Sequence, residues 1–450
     1  MKKPILIAAA VALCATACHN EQKNESMKMN GTHEDWSRSA VIYEVNIRQY
    51  TPEGTFNAFS THLPRLQKMG VDILWLMPVH PVGELNRKGS LGSYYAVKDY
   101  RAVNPEFGTM EDFRNLVNKA HDLGMKVMLD WVANHAAWDN VWTITNPDFF
   151  EKDEKGKFVS PYDWTDVISL DYNNRQMRDS MIAALKFWIT ETGIDGYRCD
   201  VAGMVPTDFW DEARKELEAL KPLFMLAEDE DNADLLREAF DMNYAWKVHK
   251  IMNGIVKEEK TLQDLQDYFR WNDSAFKPDD YRMNFITNHD ENSWNGTEFE
   301  RLGAATEAFA AFTFVMPGMP LMYSGQEAGL DKRLRFFDKD TIDWTTVKYE
   351  DLYSNLIRIR KKNSSLWSGS YGAPMEMLKT SSPEQVFAFI RQNNQVAIAA
   401  VFNFSDKPCN DLKINLDGNW KNMMTRDKMR FREETRISLK PWEYLILKQK

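Results

Sequence analysis

Cysteine is scarce: there are four in 450 residues, and two of them, Cys14 and Cys18, lie at the very start. Only Cys199 and Cys409 remain in the body of the chain, so a disulfide framework is not expected, and no Cys/His cluster has zinc spacing. Positive charge is not in excess either. The 56 Lys and Arg against 66 Asp and Glu give a net charge of −10, which argues against a nucleic-acid partner. After the N-terminus no apolar run reaches the ~18 residues of a membrane helix. Repeats and low-complexity tracts are missing. With 44% hydrophobic and 27% charged residues, a disordered or collagen-like chain is excluded. What is plentiful is aromatic: 15 Trp, 16 Tyr and 25 Phe. Most will be core, but flat apolar rings are also what stacks on sugars.

The first residues read as an export signal. Lys2 and Lys3 precede an apolar run over 5–14 that is too short to span a bilayer. Ala15-Thr16-Ala17-Cys18 resembles a bacterial lipobox, with Ala15 where Leu is usual. Cys18 is thus a candidate lipid anchor and residues 1–18 a signal peptide, the alternative being an ordinary cleaved signal. Residues 19–39 read as a polar tether. The expected location is the periplasm or the outer membrane, with no membrane contact beyond the anchor.

From residue 40 short apolar runs alternate with amphipathic helices. Strand-like runs fall at 41–47, 71–78, 126–132, 196–201, 223–228, 241–244, 282–288 and 321–324. Helical spacing covers 59–69, 109–123, 175–192 and 208–220, with glycine closing the first three at Gly70, Gly124 and Gly193. Apolar strands separated by helices argue for a parallel sheet covered on both faces. Eight units across 40–365 predict an α/β fold, a (β/α)8 TIM barrel. Residues 135–171, rich in Trp and Pro, break the rhythm as a short subdomain inserted after strand three. Beyond 366 the pattern becomes short strands and turns, which predicts a C-terminal antiparallel β-sandwich domain over 366–450.

Barrel active sites gather where strands end. The third strand leads into Asp130-Trp131-Val132-Ala133-Asn134-His135 and the fourth is Gly196-Tyr197-Arg198-Cys199-Asp200. The fifth ends in Ala227-Glu228, the seventh in Asn288-His289-Asp290. Asp200, Glu228 and Asp290 would therefore crowd one mouth. Arg198 shares a strand face with Asp200 and is expected to hold it ionised, as a nucleophile needs, while a carboxyl without such a partner serves as acid. One Asp alone would read as a cap or a surface charge; three at three strand ends do not.

These four segments resemble the four sequence regions of the α-amylase superfamily, glycoside hydrolase family thirteen. Tyr95-Ala96-Val97-Lys98-Asp99-Tyr100, Gly325-Gln326-Glu327 and Pro441-Trp442-Glu443 extend the likeness over about residues 40–450. The resemblance implies a retaining α-glucan hydrolase acting on α-1,4 bonds of starch, maltodextrin or related oligosaccharides. It implies Asp200 as nucleophile, Glu228 as acid/base and Asp290 as the residue that binds and stabilises the distorted sugar. Tyr95, His135, Arg198 and His289 would bind or orient around that sugar, and Asp130 would support them. Glu230 rivals Glu228 for the acid role; Glu228 is preferred because it follows the apolar strand directly.

Two departures stand out. Val201-Ala202-Gly203-Met204 replaces the Lys-His pair that many members carry, and Ser169 stands where calcium-dependent relatives have a carboxylate. Asn134 remains a possible calcium ligand, but calcium prefers several anionic oxygens, so no metal or other cofactor is expected to be required. Arg87 and Lys88 have a counterpart in maltosyl-transferring members that use a sugar phosphate. The alternatives are an α-glucan transglycosylase with the same site, or a non-catalytic glycan-binding lipoprotein, from which the intact trio Asp200, Glu228 and Asp290 discriminates, since a retired site is expected to have lost one of them. A monomer is expected.

Overall fold

The computed structural model describes residues 33–450. The signal segment, Cys18 and most of the tether lie outside the described residues. Eight parallel strands close into a barrel: β1 (Ile42–Val45), β2 (Ile73–Leu76), β3 (Lys126–Val132), β4 (Gly196–Asp200), β5 (Phe224–Ala227), β6 (Met242–Tyr244), β7 (Tyr281–Asn284) and β8 (Met319–Tyr323). β1 pairs with both β2 and β8, which completes the ring. The short sixth run is a strand, held between β5 and β7.

Successive side chains on a strand point to opposite faces, and two apolar sets follow from this. Ile42, Ile73, Trp75, Met128, Leu226, Met242 and Met283 fill the barrel interior. Their neighbours Tyr43, Leu74, Leu76, Val127, Leu129 and Met225 pack outward against the helices. Gly196 opens β4 because an added Cβ would overlap the Phe224 carbonyl oxygen; without a side chain there, β4 could not lie this close to β5.

Helices follow the expected pattern, with local differences. The helix over 59–69 is divided into Phe56–Ser60 and Leu63–Met69. Pro64 sits in the first turn of the second piece, where its missing N–H costs nothing but cannot extend the helix before it. Met110–Asp122 starts at a capping box between Thr109 and Asp112. Arg175–Thr192 starts on the Asn174 side chain and stops at Gly193 in the left-handed conformation. β7 is shorter than the 282–288 run, so residues 285–288 continue beyond the sheet toward the barrel mouth.

The polar stretch before residue 40 is not a tether along its whole length. His33 is buried, with Nδ1 2.7 Å from Asp241 Oδ1 and Nε2 2.7 Å from the Asp279 carbonyl. Trp36 stacks obliquely on Phe224, the first residue of β5, at 5.7 Å. The segment thus plugs the amino end of the barrel, opposite the mouth.

The insertion after β3 carries an antiparallel pair, His135–Ala137 with Val167–Ser169, in which His135 faces Ser169. The C-terminal part is a six-stranded antiparallel sheet, with a second pair, Cys409–Leu412 and Ile437–Leu439, packed over it. Arg391 on this sheet is fully buried and meets no carboxylate among the described residues. Its guanidinium donates to the carbonyls of Val315, Met316, Leu366, Trp367 and Ala373 at 2.9–3.3 Å. Among the described residues no helix is long and apolar enough to cross a membrane.

Candidate active site

A cleft of about 530 Å³ opens at the carboxyl ends of the strands. Tyr95, His135, Asp200, Glu228, His289 and Asp290 line it, with the rings of Trp164, Trp294, Phe336 and Phe337 around its rim. The strand pattern puts them there. In β4 the alternate residues Gly196, Arg198 and Asp200 face inward while Tyr197 and Cys199 face the helices.

Arg198 is the hub. It is wholly buried, and its Nη1 lies 2.9 Å from Asp130 Oδ1 and 2.9 Å from Asp200 Oδ1. Its Nη2 lies 2.8 Å from Glu228 Oε2, and its Nε donates to Tyr244 Oη at 3.1 Å. The expectation that this arginine singles out Asp200 therefore needs correction. It serves three carboxylates from three strands, because the barrel's stagger brings β3, β4 and β5 to one level. Burial and the Glu228 charge push Asp200 well above the usual carboxylate range, against the pull of Arg198. Burial likewise raises Asp130, again opposed by Arg198. The mouth thus favours holding a proton among its carboxylates.

Asp200 and Glu228 each have one oxygen engaged by Arg198. Glu228 Oε2 meets Arg198 and accepts the Val201 N–H at 2.8 Å. Val201 makes that bond from φ +38° and ψ +47°, a left-handed conformation that a β-branched residue rarely adopts and that marks local strain. Asp200 Oδ1 meets Arg198, and Oδ2 faces His135 Nε2 at 4.0 Å.

The two histidines differ in charge. Asn134 donates its amide to His135 Nδ1 at 3.3 Å, so Nε2 carries the ring proton toward Asp200. Burial lowers His135 to about 4, leaving it neutral near pH 7. Burial also pulls on His289, but Asp290 and Glu44 outweigh it and raise His289 to about 9. Its Nδ1 is 2.5 Å from Glu44 Oε1, and its Nε2 is 2.8 Å from Tyr95 Oη and 3.4 Å from Asp290 Oδ2. Tyr95 stacks on His289 and Phe336 at 5.4 and 6.2 Å.

Asp130 sits behind this layer, fully buried, with Trp75 Nε1 and Tyr95 Oη both 3.0 Å from its Oδ2. Glu230 turns from the cleft to a buried pair with Arg282, 2.6 Å, and does not line the mouth. Arg87 turns back to the Gly83 and Val82 carbonyls, whereas Lys88 lines the cleft paired with Asp166 at 2.8 Å. Glu44, Trp75 and Tyr244 escaped sequence reasoning. The one available signal was a carboxylate, Glu44, in the middle of an apolar strand.

The residues where calcium-dependent relatives bind their metal do not suit that ion. Asn134 offers only a neutral amide oxygen, its nitrogen donating to His135, Asp171 Oδ1 accepts from Asn173, and the Ser169 carbonyl accepts within the insertion. These oxygens are mostly neutral, against the anionic set calcium prefers. Among the described residues no group of three or more His, Cys, Asp or Glu side chains is placed to hold a metal ion.

A family model described as "Alpha amylase, catalytic domain" matches residues 24–167 and 150–355, and one described as "Alpha amylase, C-terminal all-beta domain" matches 380–441. The α-amylase 3 of Dictyoglomus thermophilum is 27% identical over 349 residues, 67% of this chain and 66% of that protein. The chain spans about two thirds of the length of such curated relatives, from 56% to 73% in two others. Further relatives are named cyclomaltodextrinase, maltogenic α-amylase and α-1,4-glucan:maltose-1-phosphate maltosyltransferase. Among solved structures, an α-amylase from Lactobacillus plantarum superposes with TM-score 0.84 at 30% identity, covering 93% of this chain and 100% of its own. A noncanonic maltogenic α-amylase from Thermotoga neapolitana gives 0.84 at 30% identity, covering 91% and 98%.

Proposed function

The chain belongs to the α-amylase superfamily of glycoside hydrolases, and from that premise we propose that it hydrolyses α-1,4-glucosidic bonds of starch-like oligosaccharides by double displacement, with retention. The observation that carries this reading is the sharing of one guanidinium by Asp200 and Glu228 (2.9 and 2.8 Å), with Asp290 on the same cleft.

The free oxygens assign the roles. Asp200 Oδ2, not engaged by Arg198, attacks the anomeric carbon as the glycosidic C–O bond breaks. Glu228 Oε1, the oxygen left free by Arg198 and Val201, gives its proton to the departing oxygen. Water then enters, Glu228 takes its proton, and the hydroxyl displaces Asp200. Asp290 and cationic His289 bind the hydroxyls of the distorted sugar, neutral His135 donates to it, and Tyr95 stacks beneath the ring. Arg198 orients both reacting carboxylates, and Asp130 holds Arg198.

Transfer to a sugar acceptor uses the same steps with a different second nucleophile. A phosphorylated donor is disfavoured because Lys88 is already neutralised by Asp166. The test is a product profile on amylose, pullulan and maltotriose. Hydrolysis raises reducing ends on amylose, transfer redistributes chain lengths without that rise, and no change on any of the three defeats the proposal. The basic, apolar, Ala-rich start further supports an exported protein, anchored through Cys18 if its lipobox-like motif is processed.

Chelation is expected to leave activity and melting temperature unchanged, since the donors around Asn134, Ser169 and Met204 do not form a calcium cage. A melt lowered by chelator and restored by calcium would show that backbone carbonyls of the insertion complete a site after all.

A further inference from the structure

Glu44 is a buried carboxylate on β1, in register with Trp75 on β2 and Tyr323 on β8. It does not line the cleft, and the double displacement above gives it no task. Its Oε1 contacts His289 Nδ1 at 2.5 Å, and its Oε2 is buried with no hydrogen-bond partner among the described residues. A buried carboxylate this poorly solvated is costly unless a cation sits against it. Among the described residues, the only side chain it bonds is His289.

The other side of the imidazole completes the case. Nε2 faces Tyr95 Oη at 2.8 Å and Asp290 Oδ2 at 3.4 Å. The Tyr95 hydroxyl directs its own proton to Asp130 Oδ2 at 3.0 Å, so toward His289 it presents an acceptor. Both ring nitrogens thus face acceptors, and a neutral ring, with one proton, would leave one contact without hydrogen. The remaining charges near the ring are Arg198, which opposes a second proton, and Asp130, which favours it. Trp75 and Phe336 close the site with their rings at 6.0 and 6.4 Å.

We propose that Glu44 is a positioning residue: it keeps both nitrogens of His289 protonated, and so aims a charged N–H at Asp290 and at the sugar hydroxyls that Asp290 binds. The first half stands on geometry alone; the sugar rests on the function proposed above. Directed hydrogen bonds then run without a break from Glu44 on β1 through His289, Tyr95 and Asp130 to Arg198 and Asp200 on β4. In each link a donor meets an acceptor.

The experiment is a titration of imidazole ¹⁵N shifts in the whole protein labelled at histidine, with the His289 signal identified by its loss in His289→Gln. In the native protein both nitrogens should show protonated shifts into mildly alkaline solution. In Glu44→Gln, His289 should lose its proton at least about one pH unit lower, and Glu44→Asp should restore part of the shift. The pH profile of kcat/KM on a maltooligosaccharide should follow. The alkaline limb of Glu44→Gln moves to lower pH, with a loss relative to native at least about tenfold greater in mildly alkaline than in mildly acidic solution. A merely structural role would lower the whole curve without moving its limb.

A neutral His289 in the native protein at neutral pH overturns the proposal, and so does an identical titration in native and Glu44→Gln proteins. Should Glu44→Gln fail to fold, the native titration and Glu44→Asp still decide it. Shifts as expected in a protein that cleaves no α-glucan would uphold the role of Glu44 and defeat the proposed substrate.

Discussion

Asp200→Asn will lose at least about 10⁴-fold in turnover while still binding oligosaccharide, because it removes the atom that forms the new bond and leaves the cleft's shape intact. The amide keeps the Arg198 contact through its oxygen, so the fold should survive. Glu228→Gln is the informative companion. It should lose roughly 10²–10⁴-fold on starch, yet still be glycosylated rapidly by a glycosyl fluoride, whose leaving group needs no proton. Near-normal turnover in a clean Asp200→Asn preparation removes the nucleophile assignment. A Glu228→Gln enzyme that handles the fluoride no better than starch removes the acid.

Arg198→Met is expected to cost stability as well as activity. The side chain is close in length, but it leaves Asp130, Asp200 and Glu228 around a buried space with no counter-ion. Removing one partner of a buried ion pair costs about 3–5 kcal/mol, and here three partners are stranded. The pH dependence carries the sign. Burial already holds Asp200 and Asp130 above their unfolded range, and losing Arg198 removes the pull that opposes this, so the folded variant binds still more protons than the unfolded chain and regains stability as pH falls toward the ordinary carboxylate range. Urea unfolding of native and variant proteins in mildly acidic and mildly alkaline buffer measures this. A cost below about 1 kcal/mol, equal at both pH values, would mean the carboxylates are solvated in some other way.

The barrel was readable because its strands are apolar on both faces and its reacting residues stand where those runs stop. Parity within a strand put Arg198 beside Asp200. It could not say that Glu228 and Asp130 meet the same guanidinium, since that depends on the stagger between strands, which no local pattern encodes. The Glu44–His289 contact joins residues at opposite ends of the catalytic region and is invisible for the same reason. Residues 33–39 looked like linker because they are polar, but His33 is buried through a carboxylate and a carbonyl that lie far along the chain. The aromatic rim was partly visible as a surplus of Trp and Phe. Nothing in the order of residues told Trp294 and Phe336 apart from core. Glu230 was an ambiguity of spacing alone; its pairing with Arg282 turns it from the cleft.

Arg391 gives the junction between barrel and β-domain a particular character. Its five carbonyl partners belong to the end of one barrel helix and to the crossing that follows the last one, while the side chain itself issues from the β-sheet. A cation solvated only by main-chain dipoles across a junction has nowhere to go if either side moves away, and those carbonyls would lose their donor in the same instant. The two parts are separate in chain order but not in cooperativity. Trimming the chain near residue 366, or grafting this β-domain onto another barrel, would therefore break a shared solvation shell rather than a surface contact, and the barrel is not a module that can be lifted out whole.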